Sequence, residues 1–420
     1  MTGHEVIKTA IIFISYGPYH LARARALLQI PDLRPSFIQL ASSIDSHPWR
    51  VEGELCAPEL HTLSQLPYER CSYLRLSRSL RKALNEINPE VVVTASYRPF
   101  IMLTAARWAR SHGRRAVLFF ETTQSDRPRR SIAELLKRWT IASYYDAAFA
   151  GGKAHRDYLM QLGMPGCRIW QPYDVVDNDY FAEMAARVRN DPEHWRNRLE
   201  LPRNYFLYIG RFSPEKNLLR LLQAYRLYRA RCPAGWPLVL VGQGAQRAEL
   251  EHYVSHAELQ EVTFRPFEQL RTLPAYYALA GCFVLPSTVD PWGLVVNEAM
   301  ACGLPVMVSR HCGCGFDLVR EGSNGFLFDP YDIDAFAGLL GRISLLHEAT
   351  RREMSAQSRR IISAFTPDIW AEQLAQCIRM VVRESGLQAD IQTEPIDSPQ
   401  CSGGRNRATD RCRPPRPHLW

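Results

Sequence analysis

An alternation of strand-like and helix-like segments runs once along this chain and then begins again. Short apolar runs rich in β-branched residues alternate with helical patterns: strand 9–16, helix 19–30, strand 37–40, helix 73–87, strand 91–97, helix 100–112, strand 116–121, helix 131–144, strand 147–150. The runs Ala10-Ile11-Ile12-Phe13-Ile14, Val91-Val92-Val93 and Val117-Leu118-Phe119-Phe120 are apolar at consecutive positions, so both faces of each strand need cover. Strands that alternate with helices form parallel sheets through right-handed crossovers. After a charged, helix-like stretch at 178–200 the series restarts: strand 205–210, helix 216–230, strand 237–241, helix 245–257, strand 262–264, helix 270–280, strand 282–285, helix 293–302, strands 305–308 and 326–328, helix 332–345. The expected fold is α/β, two doubly wound Rossmann-like units facing a central cleft. Such sheets take ligands at the carboxyl ends of their strands.

The length of 420 residues suits two such units, each able to bury its own core. The divisions expected are residues 1–178, a connector at 179–204, and a second unit at 205–365. A helix at 366–388 and a tail at 389–420 follow. The tail is rich in Pro, Ser, Gly and Arg and is expected to be disordered. Residues 398–420 hold five Arg and one Asp, half of the net charge of +8, so the rest of the chain is nearly balanced. That balance argues against a nucleic-acid partner.

Eleven cysteines are scattered along the chain, as expected of a protein in a reducing cytoplasm. Cys312 and Cys314 lack a second pair or a His at zinc spacing, so no metal site is expected. The run Ala10–Ile14 is too short for an export signal, and Pro274, Gly281 and Pro286 interrupt the longest uncharged stretch. If the protein works at a membrane, it works from the surface.

Two segments carry chemistry. In Phe206-Leu-Tyr-Ile-Gly-Arg-Phe-Ser-Pro-Glu-Lys-Asn217 a strand ends at Gly210, and Arg211 and Lys216 follow at the start of a helix. A lone Arg and Lys would read as solvated charges. At a strand's carboxyl end beside free helix N–H groups, they suit a diphosphate. In the second segment Asp290 precedes Glu298 by eight positions, and a helix begins near Gly293 and Leu294. By spacing alone, the pair reads equally as sugar-hydroxyl acceptors or as acids stabilised by the helix dipole.

Four stretches resemble the retaining glycosyltransferases of family 4, nucleotide-sugar enzymes of the GT-B fold. They are Gly210-Arg-Phe-Ser-Pro-Glu-Lys-Asn217, Val241-Gly-Gln-Gly244, Asp290-Pro-Trp-Gly-Leu-Val-Val-Asn-Glu-Ala-Met-Ala-Cys-Gly-Leu-Pro-Val306, and Asn324-Gly-Phe-Leu-Phe-Asp-Pro330. The family's acidic pair is usually Glu-x7-Glu, and Asp290 is one methylene shorter. The resemblance implies that the second unit holds a nucleotide-diphosphate sugar, with Gly210, Gly242, Gly293, Leu294 and Gly313 approaching it. Arg211, Lys216, Asp290 and Glu298 would act at the centre, without a metal or other cofactor. The acceptor, a carbohydrate, lipid-linked or small molecule, would sit on the first unit, and the helix near 368–385 would cross back to that unit.

The first half resembles the family more loosely. Ser15-Tyr-Gly-Pro-Tyr-His20 stands where the family carries two adjacent glycines, so Gly17 and His20 are candidates near the phosphate, with a structural His the other reading. Glu121 stands where the family often has a His, as an acidic partner or a structural carboxylate. Arg127, Arg129 and Arg130 suit an anionic acceptor or an ordinary solvated loop. Retaining transfer in polysaccharide or glycoconjugate synthesis is the activity implied. The alternative is a GT-B protein that binds a nucleotide sugar without transferring it. A dinucleotide-binding Rossmann enzyme is disfavoured, because no Gly-x-Gly-x-x-Gly follows the first strand.

Overall fold

Strands without a polar face need helices on both sides, and the computed structural model of the protein supplies them twice. It describes residues 6–44, 58–126 and 131–393. The first half runs β1 (Ile7–Phe13), α1 (Pro18–Leu28), β2 (Leu33–Gln39), β3 (Leu60–Thr62), α2 (Tyr73–Ile87), β4 (Val91–Thr94), α3 (Phe100–Ser111), β5 (Arg115–Phe120), α4 (Ser131–Tyr144), β6 (Ala147–Ala150), α5 (Lys153–Gln161) and β7 (Ile169–Trp170). Its seven strands pair in parallel in the order β3-β2-β1-β4-β5-β6-β7, with Ala10 opposite both Ser36 and Val92. Period-two alternation divides their side chains between two layers. Ile12, Val92 and Leu118 pack with Leu76, Leu80, Leu84 and Met102 of α2 and α3. Ile11, Val93 and Phe119 pack with α1 on the opposite face.

The second half runs α6 (Asn178–Asn190), α7 (Pro192–Leu199), β8 (Phe206–Ile209), α8 (Leu218–Arg231), β9 (Leu238–Val241), α9 (Arg247–His256), β10 (Val262–Arg265), α10 (Leu273–Leu279), β11 (Cys282–Leu285), α11 (Leu294–Ala301), β12 (Val306–Ser309), α12 (Gly315–Leu318), β13 (Gly325–Phe328), α13 (Ile333–Ser344), α14 (Glu348–Ile362) and α15 (Pro367–Thr393). Six strands pair in parallel in the order β10-β9-β8-β11-β12-β13. In both sheets the strand order reverses beside the first strand, between β1 and β4 and between β8 and β11. Open α/β sheets place their ligands at that reversal.

The structure departs from the sequence reading in local ways. β3, β7, α5 and α12 were not expected; β3 and β7 are too short to show a period, and α5 is mostly polar. Residues 178–200, read as a connector, form α6 and α7. Phe181, Ala185 and Val188 of α6, spaced at i, i+4 and i+7, are buried in the second core. The helix expected from 216 begins at Leu218, because a 3-10 turn at Pro214–Lys216 and a left-handed Asn217 precede it. The chain breaks between α14 and α15 near Thr366-Pro367, and α15 runs past 388 to Thr393. Arg127, Arg129, Arg130 and residues 394–420 lie outside the described residues.

α15 packs on the first sheet. Its Trp370 lies against Phe119 and Phe149, Leu374 and Ile378 enter the same layer, and Arg379 donates to both oxygens of Asp32 at 2.6 Å. Every one of these residues precedes Thr393. Trp370→Ala is therefore expected to cost about 3–5 kcal/mol, whereas a chain ended after Thr393 keeps the full chain's denaturation midpoint. Chemical denaturation reads both.

Candidate active site

The carboxyl ends of the two sheets border a cavity of about 700 Å³. Its second-half wall is built where β8 and β9 end in glycine. Gly242 has φ +147°, and a Cβ there would stand 1.9 Å from the Gly210 carbonyl oxygen, so only a bare backbone lets these two loops meet. Gly293, at φ +100°, caps α11 and turns Leu294 into the first helical position, leaving that helix's first N–H groups beside the cavity. Gly210, Gly242, Gly293 and Leu294 all line the space.

Arg211 and Lys216 line the same wall, and each already has an acidic neighbour. The Lys216 ammonium donates to Asp290 Oδ2 at 2.6 Å, with both side chains mostly buried. Ser287 Oγ reaches the same oxygen at 3.5 Å. Arg211 is more than half exposed and reaches Glu215 Oε1 at 3.4 Å. The sequence leads us to expect two cations facing an anion. In the folded chain each of them also has a carboxylate neighbour of its own.

Glu298 lies in the fifth position of α11 and is fully buried. Tyr277 OH donates to its Oε2 at 2.7 Å, and Tyr19 OH, from the first half, donates to its Oε1. Burial pushes the Glu298 carboxyl up to about 7, against the two tyrosine hydroxyls, which favour the ionised form. Burial and the Glu298 carboxylate push both tyrosines up in turn.

The first half contributes Tyr19, Glu121 and Asp174 to the cavity. Asp174 escaped the sequence reading. It is 1% exposed, and neither carboxyl oxygen accepts from an N–H or hydroxyl group of the protein; its side-chain hydrogen bond is with the Glu121 carboxyl. Arg23 Nη2 stands 4.0 Å away and donates instead to the Val175 carbonyl at 2.9 Å. Burial, then the adjacent Glu121 carboxyl, push Asp174 well above the usual carboxylate range. Asp174 and Glu121 thus form an acid pair opposite the cations.

Three candidates do not line this cavity. His20 accepts from the Gly17 N–H at 3.1 Å through Nδ1 and packs against Phe13 with the rings tilted by 38°, so Gly17 and His20 shape the start of α1. Gly313 is a packing residue: a Cβ there would stand 1.8 Å from the Pro291 carbonyl, and its N–H donates to the Asp290 carbonyl at 3.0 Å. It supports the Asp290 loop from behind. Asp-x-Asp spacing occurs at Asp177–Asp179 and Asp332–Asp334, and both cap helices: Asp177 accepts from Tyr180 N–H and Asp332 from Ala335 N–H. Among the described residues no cluster of three or more His, Cys, Asp or Glu is placed to hold a metal.

The Glu298 geometry fixes a pH effect. A carboxyl whose folded pKa is raised binds its proton more tightly in the native state. Its contribution to stability is present below the unfolded value near 4.5 and is lost as pH rises to about 7. Glu298→Gln removes that titration. Wild type is expected to lose more stability between pH 5 and pH 8 than Glu298→Gln does, measured by chemical denaturation at both pH values. Parallel losses would contradict the raised carboxyl.

Residues 190–361 match the family model described as Glycosyl transferases group 1. The O-antigen chain mannosyltransferase B of Escherichia coli is 34% identical over 135 residues, which cover 32% of this chain and 35% of that protein. The alpha-D-kanosaminyltransferase of Streptomyces kanamyceticus is 23% identical over 377 residues, covering 86% of this chain and 95% of the relative. The chain thus spans about a third of the first relative's length and nearly all of the second's. The solved structure of Anabaena HepE in complex with UDP and glucose matches with a TM-score of 0.69 at 18% identity, over 89% of this chain and 100% of that one. That likeness is one of fold. The chain has the GT-B fold, and its second half matches Glycosyl transferases group 1.

Proposed function

We propose that this protein is a glycosyltransferase that moves a sugar from a nucleotide-diphosphate sugar to an acceptor hydroxyl with retention at the anomeric carbon. The work would lie in polysaccharide or glycoconjugate synthesis, on the cytoplasmic side. The observation that carries the reading is the polarity of the cleft. Arg211, Lys216 and the start of α11 face Glu121 and Asp174 across one cavity of about 700 Å³.

In this reading the diphosphate lies against Arg211, Lys216 and the N–H groups at Gly293-Leu294. A Lys ammonium has three donors. Lys216 spends one on Asp290, which fixes its direction, and has others for phosphate oxygens. Asp290 Oδ1 and the second lone pairs of the Glu298 oxygens accept donor hydroxyls. As the bond from the anomeric carbon to the diphosphate oxygen breaks, negative charge grows on the phosphate, where cations and backbone N–H groups already stand. The acceptor oxygen bonds to the same face of the sugar, and its proton passes to the departing phosphate oxygen. Glu121 and Asp174 hold the acceptor hydroxyl. The two cations do the work that a divalent ion does elsewhere, so activity is proposed to survive chelation.

The test is turnover, with slow hydrolysis of a nucleotide sugar as the minimal readout. Arg211→Ala and Lys216→Ala are each expected to lower kcat by about 10²–10³. Arg211→Ala keeps the wild-type melting temperature, because its side chain is mostly in solvent. Wild-type rates in both variants would overturn the diphosphate assignment. Tight binding of a nucleotide sugar with no turnover in wild type would favour the binding-only alternative. A product of inverted configuration would contradict retention.

A further inference from the structure

α4 is built inside out. Its apolar residues at 132, 135, 136 and 139 have the spacing that marks a core-facing stripe. In the folded protein Ile132, Leu135, Leu136 and Trp139 are 54–75% exposed. The positions that this helix buries are Lys137 and Ile141. Glu134 explains the inversion: it pairs with Lys137 at 3.3 Å and accepts from Tyr158 OH at 2.6 Å, and Lys137 also donates to Tyr158, so a polar cluster holds the inward side.

The neighbouring helices on this face also expose apolar side chains. α2 and α3 cover the same face of the first sheet as α4. Leu74, near the start of α2, is 65% exposed, and Phe100, the first residue of α3, is 67% exposed. In parallel βα units each helix begins at the carboxyl end of the preceding strand, so these apolar side chains border the mouth of the cleft. The same helices are basic. α2, α3 and α4 carry eight Lys and Arg against two Glu, net +6, where the whole chain carries +8. Arg75, Arg78 and Arg138 are among those exposed.

We propose that this face docks on an anionic lipid bilayer, with α4 lying in the plane of the interface. An exposed apolar stripe flanked by cations is the pattern of helices that settle at the boundary of headgroup and acyl chain. Each cation near an anionic surface adds to the attraction. Among the described residues no helix is long and apolar enough to cross a membrane, so the contact is with one leaflet. β5 ends one residue before Glu121, and α4 is the next helix, so the docked helix belongs to the same βα unit as one member of the acid pair. On the transfer reading above, the acceptor is then lipid-linked. Bilayer binding itself does not depend on that reading.

The experiment is co-sedimentation of the full chain with vesicles of phosphatidylcholine alone or with 30% phosphatidylglycerol, a composition chosen for its charge. Binding is expected to the anionic vesicles and to be at least tenfold weaker to the neutral ones. Leu135→Glu with Leu136→Glu is expected to lower partitioning at least tenfold, with the melting curve and nucleoside-diphosphate binding unchanged, since both side chains face solvent. A blue shift of tryptophan fluorescence on adding anionic vesicles is expected in wild type and much reduced in Trp139→Phe. Three results would overturn the proposal. Wild type does not bind anionic vesicles; the double variant binds as wild type does, which moves the attraction elsewhere, including residues 394–420; or wild type sediments as a dimer that the double variant dissociates, which makes this face a contact between copies.

Discussion

One buried carboxyl joins the two halves of this protein. Glu298 stands at full burial between Tyr277 of its own half and Tyr19 of the other. A carboxylate is costly to bury without partners, and hydrogen bonds to a charged group contribute about 1.5–3 kcal/mol each. The two hydroxyls offset part of that cost, and they do so only when the start of α1 faces the middle of α11. The surrounding contacts lock the same alignment. Asn297 donates to the Asp174 carbonyl at 3.0 Å while accepting from Trp292 Nε1 at 2.8 Å. His155 accepts from the Gly152 N–H through Nδ1, so its Nε2–H donates to the Pro291 carbonyl at 2.8 Å, and burial lowers its pKa toward that neutral form. Two glycines, Gly152 and Gly313, let the backbones close up there: a Cβ on Gly152 would meet Asp317 and Trp292, and one on Gly313 the Pro291 carbonyl.

The alignment gives the cleft two chemically different walls. On one, each cation is held by a carboxylate on its own half, Lys216 by Asp290 and Arg211 by Glu215. On the proposed reading, the Lys216–Asp290 pair fixes the ammonium's direction before a ligand arrives, which lowers the ordering cost of binding. On the other wall, Asp174 is buried without an N–H or hydroxyl donor, with the Arg23 guanidinium 4.0 Å away. Its hydrogen bond with the adjacent Glu121 carboxyl helps to keep it protonated. On the proposed transfer, that contrast separates a site for the leaving anion from a site for the acceptor hydroxyl.

Much of the fold was legible because it rests on periodicity. Continuous apolar runs marked the buried parallel strands, and α2, α4, β6 and β11 occur at the bounds that the pattern predicts. Arg211, Lys216, Asp290 and Glu298 could be found because each lies in a local run at a strand end. What was not legible depends on pairs distant in sequence. Tyr19 and Glu298 are 279 positions apart. Asp174 sits in Gln171-Pro-Tyr-Asp174, with no neighbouring signal to mark a buried acid. His20 and Gly313 were plausible near phosphate by position, yet one caps a helix and the other supports a loop. α4 shows a further limit: a hydrophobic stripe reveals that a face is apolar, and only the tertiary structure shows that nothing in the described chain covers it.

If the cations at the end of β8 bind a nucleoside diphosphate, isothermal titration of UDP, GDP and ADP into wild type gives saturable one-site binding of at least one nucleotide. Lys216→Ala then binds that nucleotide at least tenfold more weakly, a difference of about 1.4 kcal/mol. Equal affinity in the two proteins, or no binding of any of the three to wild type, would overturn the diphosphate assignment.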